Sequence, residues 1–309
     1  RCAPRNDRWW RAMTGRGAPR NDRRRRGYVR RYALFALPAA IVVAAVIIFP
    51  WLFTVFMSVH DWQPTGGISS VGWANFHHLF TDPNFGRAVL RTLYFTVIAV
   101  GAPLVLGIYA ALCFHQRFPM RGLARTIFIL PMMATPVAVA LVFAMMFNPQ
   151  LGVLNYILTS VGLPPFSWVY SEKTVIPTLA MVETWEWTPL IMLIVLGGLA
   201  SLPGDPYEAA ELDGASAWQR FRYITWPLLL PFIIVAAVIR TIDALKSFDV
   251  IYVISQGGPG TASTTINIFL YNEAFAYYHL GYGSAVVIVF FALIVAITLV
   301  LLMLRTRTA

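Results

Sequence analysis

The sequence predicts an all-α membrane protein with six transmembrane helices. Hydrophobic residues make up 58% of the 309 and charged residues 12%, with a mean hydropathy of +0.64, whereas soluble domains carry about 25% charge. Four uncharged runs, 33–57, 92–114, 126–147 and 280–304, each supply the ~20 residues needed to cross a ~30 Å hydrocarbon core. Two further runs, about 174–199 and 227–250, carry charges within them and complete the six. So many apolar runs in a chain of this length leave no polar surface for a soluble globule.

Taken in order, residues 1–32 read as a disordered, Arg-rich extension on the cytoplasmic side. The segment holds twelve of the 24 basic residues against only Asp7 and Asp22 of the 14 acidic ones, so the net charge of +10 resides there and the remainder is balanced. It repeats APRND at Ala3–Asp7 and Ala18–Asp22, includes Arg23–Arg26 and has little with which to build a core. A disordered extension is favoured over an RNA-binding or anionic-lipid-binding arm, and no nucleic acid is expected as a partner; Arg24, Arg25, Arg26, Arg30 and Arg31 strengthen the cytoplasmic anchor of the first span. That run is too long for a cleaved signal and lacks a small-residue cleavage site, so the membrane domain is expected over 33–305.

Orientation follows from the arginines near the span ends. Arg117, Arg121 and Arg125, then Arg220 and Arg222, then Arg305 and Arg307 fall on the side of the Arg-rich tail, while the opposite loops carry only Arg87, Arg91 and Lys173. Both termini are expected to be cytoplasmic in a multi-pass protein of the cytoplasmic membrane.

The loop at 203–227, EAAELDGASAWQRFRYITWP from Glu208, is expected on that same face. Asp205 is placed to be an N-cap, Pro206 to hold the first helical position, and Glu208 to sit where its carboxylate favours the positive helix end. Ala209 and Ala210 keep one face slim, Asp213 precedes the turn, and Gly214 supplies a positive φ. A second helical stretch, about Ala215–Tyr223, brings Trp218 and Phe221 together at i, i+3; beyond Ile224, Pro227 is expected to open the fifth span.

Ionisable residues at membrane depth mark candidate solute contacts. In the fourth span Glu183 and Glu186 interleave with Trp185 and Trp187; carboxylates accept hydroxyl hydrogen bonds and indole faces cover apolar sugar surfaces. The competing expectation is that Glu183 pairs with a neighbouring helix and that the tryptophans pack. In the fifth span Arg240, Asp243, Lys246 and Asp249 recur every third residue with alternating sign, as if to neutralise one another along one helical face; subunit packing is the favoured role for most of them, with Asp243 and Lys246 the path candidates. No catalytic constellation is legible. Lys173 and Lys246 are the only lysines and neither completes a phosphate-binding loop. His60, His77, His78, His115 and His279 have no metal-ligand spacing, and Cys2 and Cys113 suit no exported disulfide.

The spacing EAA, then Gly214, Ile224 and Pro227, resembles the coupling loop of binding-protein-dependent ABC importer permeases. Phe248–Tyr252, Gln256–Gly260 with Gly257, Gly258 and Pro259, Thr264–Thr265 and Gly281–Ala285 resemble one permease subunit of the carbohydrate importers of the maltose, glycerol-phosphate and polyol group. The likeness runs over about 30–305. It implies a type I ABC importer permease fold and an extracytoplasmic position for the GGP loop. It also implies a second, different permease, two ATPase subunits or domains that bind the ATP, a solute-binding protein outside, and a sugar or polyol as solute in a bacterial inner membrane. No cofactor of the chain's own is implied. The rival is a stand-alone, ion-coupled secondary transporter using Glu183 or Asp243, which leaves the EAA loop unexplained.

Overall fold

The computed structural model describes residues 35–63 and 66–306, the side chains of Gln63 and of 304–306 excepted. The expectations for residues 1–32 and for Arg307 lie outside the described residues, as does the side chain of Arg305. The chain divides into two compact units, the first ending at Thr54 and the second beginning at Val55.

The first apolar run forms α1, Phe35–Ser58. It is regular except for a π-turn at Ala44–Ile48, where the amide of Phe49 reaches the carbonyl of Ala44. Pro50 follows; it has no amide to donate and its ring crowds the carbonyl four residues earlier, so a widened turn relieves the ladder ahead of it.

After the last turn of α1 the second unit forms a small hairpin that the helical pattern did not foreshadow. Strand β1, His60–Gln63, pairs antiparallel with β2, Gly67–Ser70, matching His60 to Ser70. Helix α2, Ala74–Thr81, leads into α3, Pro83–His115. Asp82 caps α3 by accepting from the amide of Asn84 at 2.8 Å, and Pro83 occupies the first turn. The helix is thus longer than the apolar run within it.

Expected as one span, the run 126–147 is two helices, α4, Arg121–Met133, and α5, Pro136–Met146, bent by 93°. Pro136 is the cause. A residue before proline is pushed out of the helical region, and both Ala134 and Thr135 are extended, with ψ of 152° and 138°. The described residues hold five helices long and apolar enough to cross a membrane, and six crossings when the bent pair counts as one.

Helix α6, Val153–Ser160, precedes α7, Val175–Ala200, the most buried span. Helices α3 and α7 approach closely at Gly107, where any Cβ would lie 2.6 Å from the Cβ of Ile191. Around that contact Ala110, Ala111, Ile191, Met192, Val195 and Leu229 form a core, and a second core joins Phe95, Ala99, Leu179, Val182, Ala244 and Ile251.

Helix α8 is Asp205–Leu212, and α9 runs unbroken over Ala217–Leu245. Two expectations change here. Pro227 does not open the fifth span but lies within it, because a π-turn at Phe221–Thr225 widens the ladder just before it, as in α1. The span also stops at Leu245 rather than near 250, and after a bend at Ser247–Phe248 the chain forms α10, Asp249–Ser255. Helix α11, Ile266–Tyr271, and α12, Leu280–Thr306, complete the unit. A third core gathers Leu79, Phe85, Leu245, Ile266, Val286 and Phe290.

Candidate functional site

The loop between α7 and α9 is built by its own capping chemistry. Gly204, not Asp205, is the N-cap of α8 and offers no side-chain bond; its carbonyl accepts from the amides of Tyr207 and Glu208 at 2.9 and 3.2 Å. Asp205 and Pro206 therefore sit one position inside the expected boundary, and Asp205 and Glu208 both place carboxylates in the first turn. Pro206 has no donor to lose there, and the carboxylates oppose the positive helix end. At the other end the amide of Ala215 reaches the carbonyl of Ala210 at 2.9 Å and that of Gly214 reaches Glu211 at 3.1 Å, beyond Asp213 as C-cap. This is a Schellman closure, and Gly214 holds the left-handed position it requires, with φ +72°.

The chain then re-enters helix at once. Ser216 and Gln219 form a reciprocal capping box, Oγ accepting from the Gln219 amide at 3.3 Å and the Ser216 amide donating to Oε1 at 2.7 Å. This pair was readable in the sequence as Ser-x-x-Gln and was not anticipated. Trp218 and Phe221 meet as expected, with ring centroids 5.7 Å apart. Tyr207 and Thr225 share a hydrogen bond of 3.0 Å that ties α8 to the base of α9.

The outer face of this element is unusually apolar. Leu212, Trp218 and Tyr223 are 90%, 69% and 75% exposed, beside exposed Glu208 and Ala209; Ala210 and Ile224 are half-buried and Pro227 is exposed. Beneath α8 lies a cavity of about 830 Å³ bordered by Tyr207, Glu208, Arg220 and Phe221. The element is thus a short helix, α8, closed by a Schellman turn and followed by the capping box of α9; α8 exposes carboxylates and Leu212, and the first turns of α9 expose Trp218 and Tyr223.

The second candidate lies between α7 and the end of α9. Glu183, Glu186 and Arg240 are 3%, 1% and 1% exposed. Arg240 Nη2 donates to Glu183 Oε2, and Ser247 Oγ donates to Glu183 Oε1 at 2.6 Å. The Arg240 guanidinium also lies 5.1 Å from the ring centroid of Trp187. Among the described residues Glu186 Oε2 and Arg240 Nε are buried without hydrogen-bond partners. A cavity of about 130 Å³ is bordered by Glu183, Trp187, Arg240, Asp243, Lys246 and Asp249.

This arrangement corrects the charge ladder expected along the fifth span. Arg240 turns inward to Glu183, the helix ends before Asp249, and Asp243 and Lys246 form only a half-exposed pair at 3.9 Å. Burying two charges is costly unless they meet, which is why the inward pair takes precedence over helical neighbours. Trp185 is separated from Trp187: it is 48% exposed and packs edge-on against Phe143 at 5.4 Å. The competing expectation that Glu183 pairs with a neighbouring helix is borne out; that Arg240 and Ser247 are the partners was missed, since only the fold brings them together.

The GGP turn after α10 is a folded element. Gly257 is buried with φ +90°; the carbonyls of Gly257 and Gly258 accept from Thr264 Oγ1 at 3.2 Å and Ser263 Oγ at 2.7 Å, and Pro259 is half-buried. The amide of Ile266 donates to Thr92 Oγ1 at 2.9 Å, fastening the segment after the turn to α3.

Residues 104–308 match the family described as the binding-protein-dependent transport system inner membrane component. The chain is 36% identical over 273 residues to the trehalose/maltose transport system permease protein of Thermococcus litoralis, covering 87% of this chain and 91% of that one. It is 35% identical over 278 residues to the sulfoquinovosyl glycerol transport system permease protein of Agrobacterium fabrum, covering 89% and 90%. In fold it matches a bacterial ABC transporter involved in the import of the acidic polysaccharide alginate, with a TM-score of 0.80 and 24% identity over 92% of this chain and 99% of that one. The chain belongs to the binding-protein-dependent transport system inner membrane component family.

Proposed function

We propose that this chain is one of two different permease subunits of an ATP-driven importer that carries a sugar or polyol across the cytoplasmic membrane. Relatives named for trehalose/maltose and sulfoquinovosyl glycerol transport support the solute class. Membership of the family disfavours a stand-alone, ion-coupled transporter. The partners are a second permease, two ATPase subunits or domains that bind the ATP, and an extracytoplasmic solute-binding protein that meets the GGP-bearing side, Gly257, Gly258 and Pro259. Both termini face the cytoplasm.

The observation that carries the reading is the exposed element around α8, closed by a Schellman turn and followed by the Ser216 capping box, with Glu208, Ala209, Ala210, Asp213, Gly214, Ile224 and Pro227 at its working positions. Exposed Leu212 and Trp218 supply apolar contact and Glu208 a charge, the mix expected where a helix seats in a groove of another protein. Movement of the ATPases is passed through this element to α7 and α9, which flank it in the chain.

The solute path runs past Glu183, Glu186, Trp187, Asp243 and Lys246, with Trp185 on its margin. The cavity of about 130 Å³ is well below the 300–1,000 Å³ typical of ligand pockets, so the second permease supplies the remaining wall. Hydroxyl groups of the solute donate to the carboxylate oxygens that border this cavity, with the buried Glu186 behind them.

The test is reconstitution of the chain with its partner permease, ATPase and binding protein. Uptake of a sugar or polyol that requires ATP and the binding protein is the expected result. Uptake by this chain alone, driven by an ion gradient, would overturn the proposal.

A further inference from the structure

A cavity of about 610 Å³ opens where the C-terminal ends of α3 and α7 meet the start of α4. Its lining divides by chemistry: Arg117, Arg121 and Arg125 on one side, Leu193, Leu196 and Gly197 on the other. Among the described residues none of these arginines is in an ion pair. Arg121 Nη1 reaches only the carbonyls of His115 and Gln116, each at a long 3.4 Å, and the Arg125 Nε atom is buried with no partner. The first turn of α4 holds no acidic residue, so its positive end adds to the field.

Three guanidinium groups without counter-charge among the described residues call for an anion with several acceptor oxygens, and guanidinium geometry suits phosphate. The apolar wall demands that the anion be attached to something greasy. Position adds a third constraint, because the cavity sits at the ends of two membrane-length helices, at the depth of headgroups. We propose that this cavity binds an anionic phospholipid, its phosphate against Arg117, Arg121 and Arg125 and its glycerol and upper acyl chain along Leu193, Leu196 and Gly197. Bound there, the lipid braces α4 against the ends of α3 and α7. A soluble phosphate would satisfy the arginines but leave the apolar wall wet.

The test uses the assembled complex in lipid nanodiscs containing a photoactivatable anionic phospholipid, with labelled peptides of this chain identified by mass spectrometry. Two variants probe the two walls. Arg121→Gln/Arg125→Gln removes charge; Gly197→Leu fills the apolar side, where an added Cβ meets no atom within 4 Å, and keeps every charge should the arginine variant fail to insert. Labelling of segments 114–125 and 193–200 is expected in the wild type, reduced by about tenfold in each variant. A zwitterionic probe with the same chains should label weakly, and millimolar inorganic phosphate should not compete. Unchanged labelling in Gly197→Leu, equal labelling by the zwitterionic probe, or displacement by inorganic phosphate alone would each overturn the assignment.

Discussion

Glu183 and Arg240 stand 57 positions apart in the chain yet form a buried ion pair, and the pair constrains what either can do. Removing one partner leaves an uncompensated charge at a cost of roughly 3–5 kcal/mol, whereas removing both together costs far less. Arg240→Gln should therefore lower the thermal stability of the detergent-solubilised protein sharply, and Glu183→Gln/Arg240→Gln should recover much of the loss. Additive destabilisation in that cycle would mean that the two groups do not interact. Glu186 is different, because its Oε2 has no partner to lose. Glu186→Gln should leave stability and ATPase assembly intact while weakening uptake by roughly 10- to 100-fold, the value of a hydrogen bond to a charged group; normal uptake kinetics would remove Glu186 from the path. The sequence made both carboxylates legible as charges in an apolar run. It concealed their difference, since Arg240 and Ser247 reach Glu183 only where α9 and the segment after it lie beside α7.

Among the elements, the loop around α8 was the most legible, because capping chemistry is local. Gly214, the Trp218 and Phe221 contact and the first-turn carboxylates follow from near neighbours alone; the N-cap missed by one residue because Pro206 is tolerated at either of two positions. Ser216→Ala should cost about 1 kcal/mol of local stability, read as faster amide hydrogen exchange over 217–220, and unchanged protection there would deny the capping box its role. The breaks were harder to foresee. A proline inside an apolar run is compatible with a continuous helix after a π-turn, as at Pro227, or with a 93° bend, as at Pro136, and packing decides between them. Close packing is itself testable at Gly107, where the Cβ of valine would clash with Ile191. Gly107→Val should destabilise the subunit by about 1–3 kcal/mol in thermal unfolding; a neutral effect would mean that α3 and α7 are not held at this distance.

For the whole molecule, hydropathy made five to six candidate spans legible among the described residues and the family match confirms the class, while the hairpin at His60–Ser70 and the bent pair needed three dimensions. The central claim is that a soluble motor drives the spans through the element at α8. Gly214→Val tests it most directly. Nothing lies within 4 Å of the added Cβ, so valine meets strain rather than a clash, of order 1–3 kcal/mol at positive φ. The Schellman turn should open and α8 should be misdirected while the spans still insert. In proteoliposomes holding the complete importer, we expect this variant to be present at wild-type abundance but to lose solute uptake and binding-protein-stimulated ATP hydrolysis together. Wild-type uptake and stimulation in the same vesicles would contradict the coupling role.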